Sequence, residues 1–260
     1  MDIENKFGTL SAQTGLLELL KKFHAFCSQN NIRYSLAYGS LLGAIRHKGF
    51  IPWDDDLDVF VDRKNYNRLV EILTHDEILT IERDSAQSIW VDRVRRSKRK
   101  EEHSCKYEPT LDVLVLDNVP ERSLKRKVKL FLILMLQGMI KPNPNFNKGS
   151  IVMRGCSVVT FIIGKLFPIR MKKRWYRKVS QIGNSTPSEL IANYNGEFSD
   201  LKRCYPCDMM EHIIDWDFED TKASIVADYD MCLKTQFGDY MTPPRESERT
   251  ARHGGGEKVN

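Results

Sequence analysis

The stretch GSLLGAIRHKGFIPWDDDLDVF, Gly39 to Phe60, sets carboxylates at Asp54, Asp55, Asp56 and Asp58, directly after a tryptophan and beside an apolar run. Like charges crowded this closely repel one another, and charges held against apolar neighbours need partners or ions. Leu57, Val59 and Phe60 on one side and Phe50, Ile51 and Trp53 on the other argue against a merely solvated acidic turn. In an extended strand alternate side chains share a face, so Asp54, Asp56 and Asp58 would point one way, Asp55 and Leu57 the other. Three carboxylates on one face suit a hard divalent ion such as Mg2+ (or Mn2+), which commonly shares its coordination with substrate phosphates. A calcium loop of the EF-hand type fails, because it needs Gly at its sixth position and Glu at its twelfth, where this chain has Val59 and Asn65.

Working outward, residues 33–39 (RYSLAYG) read as a strand and residues 40–47 (SLLGAIRH) as a short helix. Gly39 and Ser40 then lie where a strand turns into a helix, a place where the backbone can approach a phosphate and the free amides favour its charge. Arg46, His47 and Lys48 follow, as candidates for phosphate contacts or as a solvated turn. Residues 57–61 (LDVFV) form a second expected strand, and 64–74 a helix carrying Tyr66, Leu69, Val70 and Leu73. Three more strands are expected at 78–82, 88–94 and 110–117, the last placing Asp112 between apolar neighbours and ending before Pro120. Upstream, residues 11–29 read as an amphipathic helix with Leu16, Leu19, Leu20, Phe23 and Cys27 on one face.

Residues 123–183 change character. Two apolar runs, LFLILMLQGMI and GCSVVTFIIG, are bounded by basic clusters and fall well short of the roughly 20 residues a membrane span requires. They read as a separate helical subdomain. It is either a buried hairpin or an interfacial pair with Lys125, Arg126, Lys127, Lys172, Lys173 and Arg174 at lipid headgroups and Trp175 and Tyr176 nearby. One further helix is expected over 224–237, and the polar tail 246–260 is expected to be disordered. The expected division is thus a core over 1–122, the helical insert 123–183, a part over 184–245 that completes the core, and the tail.

With 260 residues, 41% of them hydrophobic and 29% charged, the chain is long enough to bury a sizeable core without staples. A net charge of +5 suits anionic substrates or a membrane surface and does not argue for nucleic acid. The opening MDIENKFGTL has no secretory character, so reduced thiols and a cytoplasmic setting are expected. Only Cys204 and Cys207 have metal or redox spacing; with no second pair to complete a site, they read as ordinary thiols beside a proline turn.

A Gly-Ser turn, a strand with paired carboxylates and a third strand with one more form the pattern of nucleotidyltransferase-fold enzymes. The elaboration between Ser40 and Asp56 is more specific: AYGSLLGAIRHKGFIPWDDDLDV, residues 37–59, resembles the LicD family, the phosphocholine transferases of bacterial surface glycans, which share this signature with fukutin and fukutin-related protein. The likeness continues through KNYNRLV (64–70), LDVLVLD (111–117) and FEDTKASIVADYDMCLKTQFGDYMTPP (218–244). It implies an α+β fold, a nucleotidyltransferase-like mixed sheet flanked by helices with a helical insert.

The resemblance further implies metal ligands at Asp56 and Asp58, with Asp54 completing the triplet and Asp112 as the third-strand carboxylate. Asp56, Asp58 and Asp112 become the catalytic set, Asp112 as a ligand that also helps deprotonate an acceptor hydroxyl. His47 ranks behind it as a base. Phospho-group transfer chiefly needs charge neutralised and oxygens held in line, which suits such a site. The implied partners are a CDP-activated alcohol such as CDP-choline, a glycan or lipid-linked glycan acceptor, and a peripheral contact with the cytoplasmic face of a membrane. If choline is carried, an aromatic cage is expected, with Trp53, Trp90 and Tyr107 as candidates. Asp117 and Asp239 read as turn or capping residues, and His253 is the weakest site candidate. A nucleotidyltransferase that releases pyrophosphate and a non-catalytic glycan- or membrane-binding module remain as alternatives.

Overall fold

The computed structural model describes residues 7–83, 91–97, 108–143, 151–196 and 200–250, with backbone alone over 151–153. Trp90, Tyr107, Cys105 and His253 lie outside the described residues. In chain order the elements are α1 (Leu10–Gln29), β1 (Ser35–Leu36), α2 (Tyr38–His47), β2 (Asp58–Asp62), α3 (Arg63–Leu73), β3 (Leu79–Glu82), β4 (Asp92–Arg96) and β5 (Leu111–Asn118). Then follow α4 (Ser123–Ile140), α5 (Ile151–Lys165), α6 (Ile169–Ser180), β6 (Leu190–Asn193), β7 (Tyr205–Pro206), β8 (Ile213–Phe218), β9 (Thr221–Val226) and α7 (Tyr229–Phe237). This is an α+β fold, as the resemblance implied. The chain divides into two compact units, Met1–Glu82 with Arg93–Val115 and Asp208–Asn260, and Arg83–Asp92 with Leu116–Cys207.

In the first unit the strands run in the order β1-β2-β5-β4-β3, with β1 antiparallel to β2 and β3 antiparallel to β4. Helix α1 buries the stripe Leu16, Leu19, Leu20, Phe23 and Cys27 that its periodicity marks out. The expected strand over 33–39 is only two residues long. Tyr38 adopts φ +43 and opens α2 at once, so the ladder stops at Leu36. Its short pairing is reinforced by side chains: Ser35 Oγ accepts the Val226 amide at 2.9 Å, and the Tyr34 hydroxyl accepts the Ser224 amide at 3.2 Å.

Both of those partners sit on β9, where a helix was expected from residue 224. Ser224 and Val226 are instead paired antiparallel with Asp215 and Ile213 of β8, and α7 begins only after Asp228, whose carboxylate accepts the Met231 amide. The β8–β9 hairpin escaped notice because Asp215 and Asp217 on β8 and Lys222 on β9 mask its alternation with charges on an exposed face.

In the second unit three helices, α4, α5 and α6, lie between 123 and 183, where the two apolar runs pointed to a hairpin or pair. Their core joins Val119, Ile133, Leu136, Ile140, Tyr176, Ala192, Tyr194 and Leu201. Strand β6 pairs antiparallel with Leu116–Asn118 of β5 and with β7. Helices α4 and α5 approach closely at glycines: a Cβ at Gly164 would lie 2.3 Å from the Met139 carbonyl oxygen.

Several residues placed on a basic rim by sequence are inside. Lys172 Nζ donates to the carbonyls of Met139 and Gly164, both at 2.9 Å, neutralising helix-end acceptors, and Lys173 is buried as well. Tyr176 is a core residue whose hydroxyl donates to the Tyr194 carbonyl. Asp117 is no turn residue: it is fully buried in β5 and accepts from Asn184 Nδ2. Lys129, also fully buried, donates to the Asn118 carbonyl at 3.0 Å and lies 3.5 Å over the Tyr194 ring. Cys204 and Cys207 are free thiols, the first bonded by Arg126 Nη2 at 3.0 Å.

No helix among the described residues is long and apolar enough to cross a membrane. Leu124, Val128 and Phe131 of α4 and Val159 and Ile162 of α5 nevertheless stand exposed, with Phe131 61% open to solvent.

Candidate functional site

The acidic segment is not a strand along its whole length. Only Asp58 enters β2, while Asp54, Asp55 and Asp56 lie in the coil before it. The two-residue alternation holds all the same: Asp55, Leu57 and Val59 are buried, whereas Asp54, Asp56 and Asp58 keep part of their surface. The segment is extended because it is fastened from outside. Gln13 Nε2 of α1 donates to the carbonyls of Ile51 and Asp54 at 3.0 and 2.8 Å, and Thr9 Oγ1 donates to that of Pro52 at 2.7 Å.

The chain from Gly49 to Asp54 doubles back along α2. A Cβ on Gly43 would stand 2.4 Å from the Gly49 carbonyl oxygen, and one on Gly39 would stand 2.4 Å from Asp54 Oδ2. The first turn of α2, read from sequence as a phosphate cradle, therefore already carries an anion in the Asp54 carboxylate. Ser40 is buried, and its Oγ accepts the Asp58 amide at 2.9 Å, which joins the start of α2 to the start of β2.

Asp112 comes in from β5, whose amide at that residue donates to the Leu57 carbonyl at 2.8 Å. On the neighbouring strand β4, Arg93 Nε reaches Asp112 Oδ1 at 2.8 Å. Asp58 lies within electrostatic reach of all of them. Burial first, then Asp56, Asp112 and Asp54, push its carboxyl well above the usual carboxylate range, and Arg93 pulls the other way. Asp54, Asp56, Asp58 and Asp112 thus converge on one place, together with a guanidinium that sequence reasoning missed.

Among the described residues no three His, Cys, Asp or Glu side chains stand at separations that hold an ion. The donor set nonetheless fits a hard cation in kind: four carboxylates, with the carboxyl of Asp58 raised by burial and by the charges of the other three, are the arrangement a divalent ion relieves.

At the far end of α2, Arg46 Nη1 donates to the Tyr240 carbonyl at 2.8 Å and Arg46 Nε to His47 Nε2 at 3.0 Å. Burial and the charges of Arg46 and Arg249 hold His47 below its ordinary range, so its imidazole is biased toward the neutral form. Lys48 is exposed and takes φ +59 at the helix end. The following turn is held by Glu219, itself at φ +52 in the β8–β9 turn: its Oε1 accepts the Phe50 amide at 2.9 Å, and its own amide donates to the Lys48 carbonyl at 2.8 Å. Trp53 is covered, with the Arg249 guanidinium 5.1 Å over its ring and His47 and Phe7 at its edges. A face occupied by a guanidinium is closed to a quaternary ammonium, so Trp53 is not a free cage wall. Asp239 accepts from Thr242 Oγ1 at 2.7 Å, the turn role expected of it.

A carboxylate pair at the head of a central strand, a third carboxylate on its neighbour and a Ser-bearing helix packed against them define a nucleotidyltransferase-like domain. Residues 31–116 match the family model described as LicD/FKTN/FKRP, nucleotidyltransferase domain. Over 91% of this chain and 92% of the relative, the sequence is 27% identical to the lipopolysaccharide cholinephosphotransferase LicD of Haemophilus influenzae. Shorter matches join it to uncharacterized proteins of Rickettsia prowazekii, 44% identical over 25% of this chain and 24% of the relative, and Rickettsia typhi, 43% identical over 22% and 19%.

Proposed function

We propose that the chain is a LicD-type transferase that moves phosphocholine, or a similar phospho-alcohol, from a CDP-activated donor such as CDP-choline to a hydroxyl of a cell-surface glycan: a teichoic acid, lipopolysaccharide or capsule precursor. The observation that carries this reading is the convergence of Asp54, Asp56, Asp58 and Asp112 inside the matched domain. The near full-length likeness to a cholinephosphotransferase supports the choice of group.

In this reading Asp56 and Asp58 hold Mg2+ (or Mn2+), with Asp54 and Asp112 beside them. The ion supplies neutralisation of diphosphate charge and alignment of the attacking and leaving oxygens. The acceptor hydroxyl attacks the phosphorus that bears the alcohol, the bond to CMP breaks, and the hydroxyl proton passes to a carboxylate. Arg93 already engages Asp112 Oδ1, which favours a ligand role for Asp112 over that of base. Ser40 positions the strand that carries Asp58. The exposed apolar stripe on α4, beside Lys125 and Lys127, is proposed to rest on the cytoplasmic membrane face where a lipid-linked acceptor is found.

The test is turnover. Purified protein with Mg2+ and CDP-choline should release CMP, and release should stop with chelator and in Asp58→Ala, whose fold is checked by circular dichroism. Pyrophosphate released from a nucleoside triphosphate would replace this reading with nucleotidyl transfer.

A further inference from the structure

The segment after α7 ends in a cationic feature that the acidic centre does not use. Tyr240 donates its hydroxyl to Asp230 Oδ1 at 2.9 Å and gives its carbonyl to Arg46, which fixes the start of the segment on α2. The chain then makes a single turn over Glu246–Glu248, and Arg249 Nε donates back to the Pro244 carbonyl at 3.0 Å. This folded arm delivers the Arg249 guanidinium onto the Trp53 ring, one residue before Asp54.

Three basic side chains, Arg46, His47 and Arg249, meet there. Among the described residues Arg46 is bonded to neutral acceptors only, His47 Nε2 and the Tyr240 carbonyl. The carboxylate paired with Arg249 is Glu246, 3.9 Å away and 79% exposed, which is a weak compensation. The two guanidiniums sense each other: burial and the charge of Arg249 both hold Arg46 below its ordinary range. Like charges brought together by a built arm, over an aromatic platform and without a close carboxylate, need an anion. Because residues 49–54 run back along α2, Trp53 lies next to the carboxylate cluster in the chain, so an anion here would extend toward a cation held there.

We propose that Arg249 and Arg46 form a clamp over Trp53 for the diphosphate of the activated donor. Each guanidinium can offer two parallel N–H groups to phosphate oxygens, and Trp53 holds the Arg249 plane in orientation. The proposal rests on the transferase reading only for the identity of the ligand; the site itself is an oxyanion site. Arg249 is a binding residue here.

The experiment titrates inorganic pyrophosphate into the full chain by calorimetry, in chelator, so that no turnover and no metal enter the measurement. The wild type should bind with an affinity that falls steeply with salt. Arg249→Ala should weaken binding about ten- to a hundredfold, the worth of a charged hydrogen bond, with an unchanged melting temperature, and Arg249→Lys should recover only part of it because it lacks the planar fork. Absence of binding by the wild type, or equal binding by Arg249→Ala, overturns the clamp. If pyrophosphate binding depends on Arg249 while CDP-choline yields no CMP, the clamp stands and the choice of donor fails.

Discussion

Arg93 Nε stands 2.8 Å from Asp112 Oδ1, so the carboxylate contributed by β5 meets a guanidinium from the adjacent strand β4. The positive group among the acidic residues is, in this state, partly supplied by the chain itself. Arg93→Met should therefore unbalance the cluster. With both side chains partly exposed, the loss is about 1–2 kcal/mol in chelator, and Mg2+ should restore more stability to the variant than to the wild type. Equal thermal shifts on adding Mg2+ would show that Arg93 and the ion do not answer the same charge.

The raised carboxyl of Asp58 gives a pH dependence of definite sign. The folded chain holds this proton more tightly than the unfolded chain, so the group's contribution to stability falls as pH rises from the ordinary carboxylate range through the elevated value. Binding of a divalent ion requires the ionised form and opposes this loss. The melting temperature gained from Mg2+ should thus be larger at about pH 7.5 than at about pH 5. A gain independent of pH would separate ion binding from Asp58.

Gly43 tests the packing of the doubled-back segment against α2. Alanine normally favours a helix by about 1 kcal/mol over glycine, but its Cβ here would meet backbone, the Gly49 carbonyl oxygen at 2.4 Å and the Ile51 amide at 3.2 Å. Gly43→Ala should be net destabilising by about 1–3 kcal/mol and should lower activity by displacing residues 49–54. Denaturant unfolding checks the sign.

The α4 face offers a separate test. Vesicles containing anionic phosphatidylglycerol should carry the protein upward in a density gradient, and Phe131→Glu, at a residue 61% exposed, should reduce flotation several-fold without altering the melting temperature. Equal flotation of wild type and variant would remove this face from any membrane contact.

Most of the carboxylate site was legible because its logic is local. The alternation from Asp54 to Val59 appears in the burial of successive residues even where no ladder forms, and Asp112 announces itself as a charge inside an apolar strand. Arg93, Glu219 and Arg249 were not legible in the same way. Each acts on a partner 19, 169 or 196 positions away, Asp112, Phe50 and Trp53 respectively, and nothing near it in sequence distinguishes it from a surface charge. Lys172 and Tyr176 misled for the converse reason: residues typical of a headgroup rim also serve as buried donors to carbonyls at helix ends and just beyond a strand. The β8–β9 hairpin was hidden by its charged outer face, and its turn residue Glu219 proved to hold the loop that leads into the acidic segment.

The run from Gly49 to Asp58 is fastened at successive points: to Gly43 by close approach, to Thr9 and Gln13 through the carbonyls of Ile51, Pro52 and Asp54, and to Ser40 through the Asp58 amide. A stretch anchored this often behaves as a ruler. Exposed Pro52 can be exchanged at small cost, but one residue added or removed between the anchors would turn Asp56 and Asp58 toward the side now occupied by Asp55 and Leu57. Length, more than composition, is what this segment contributes, and any chimera that borrows it must keep the spacing from Ser40 to Asp58 intact.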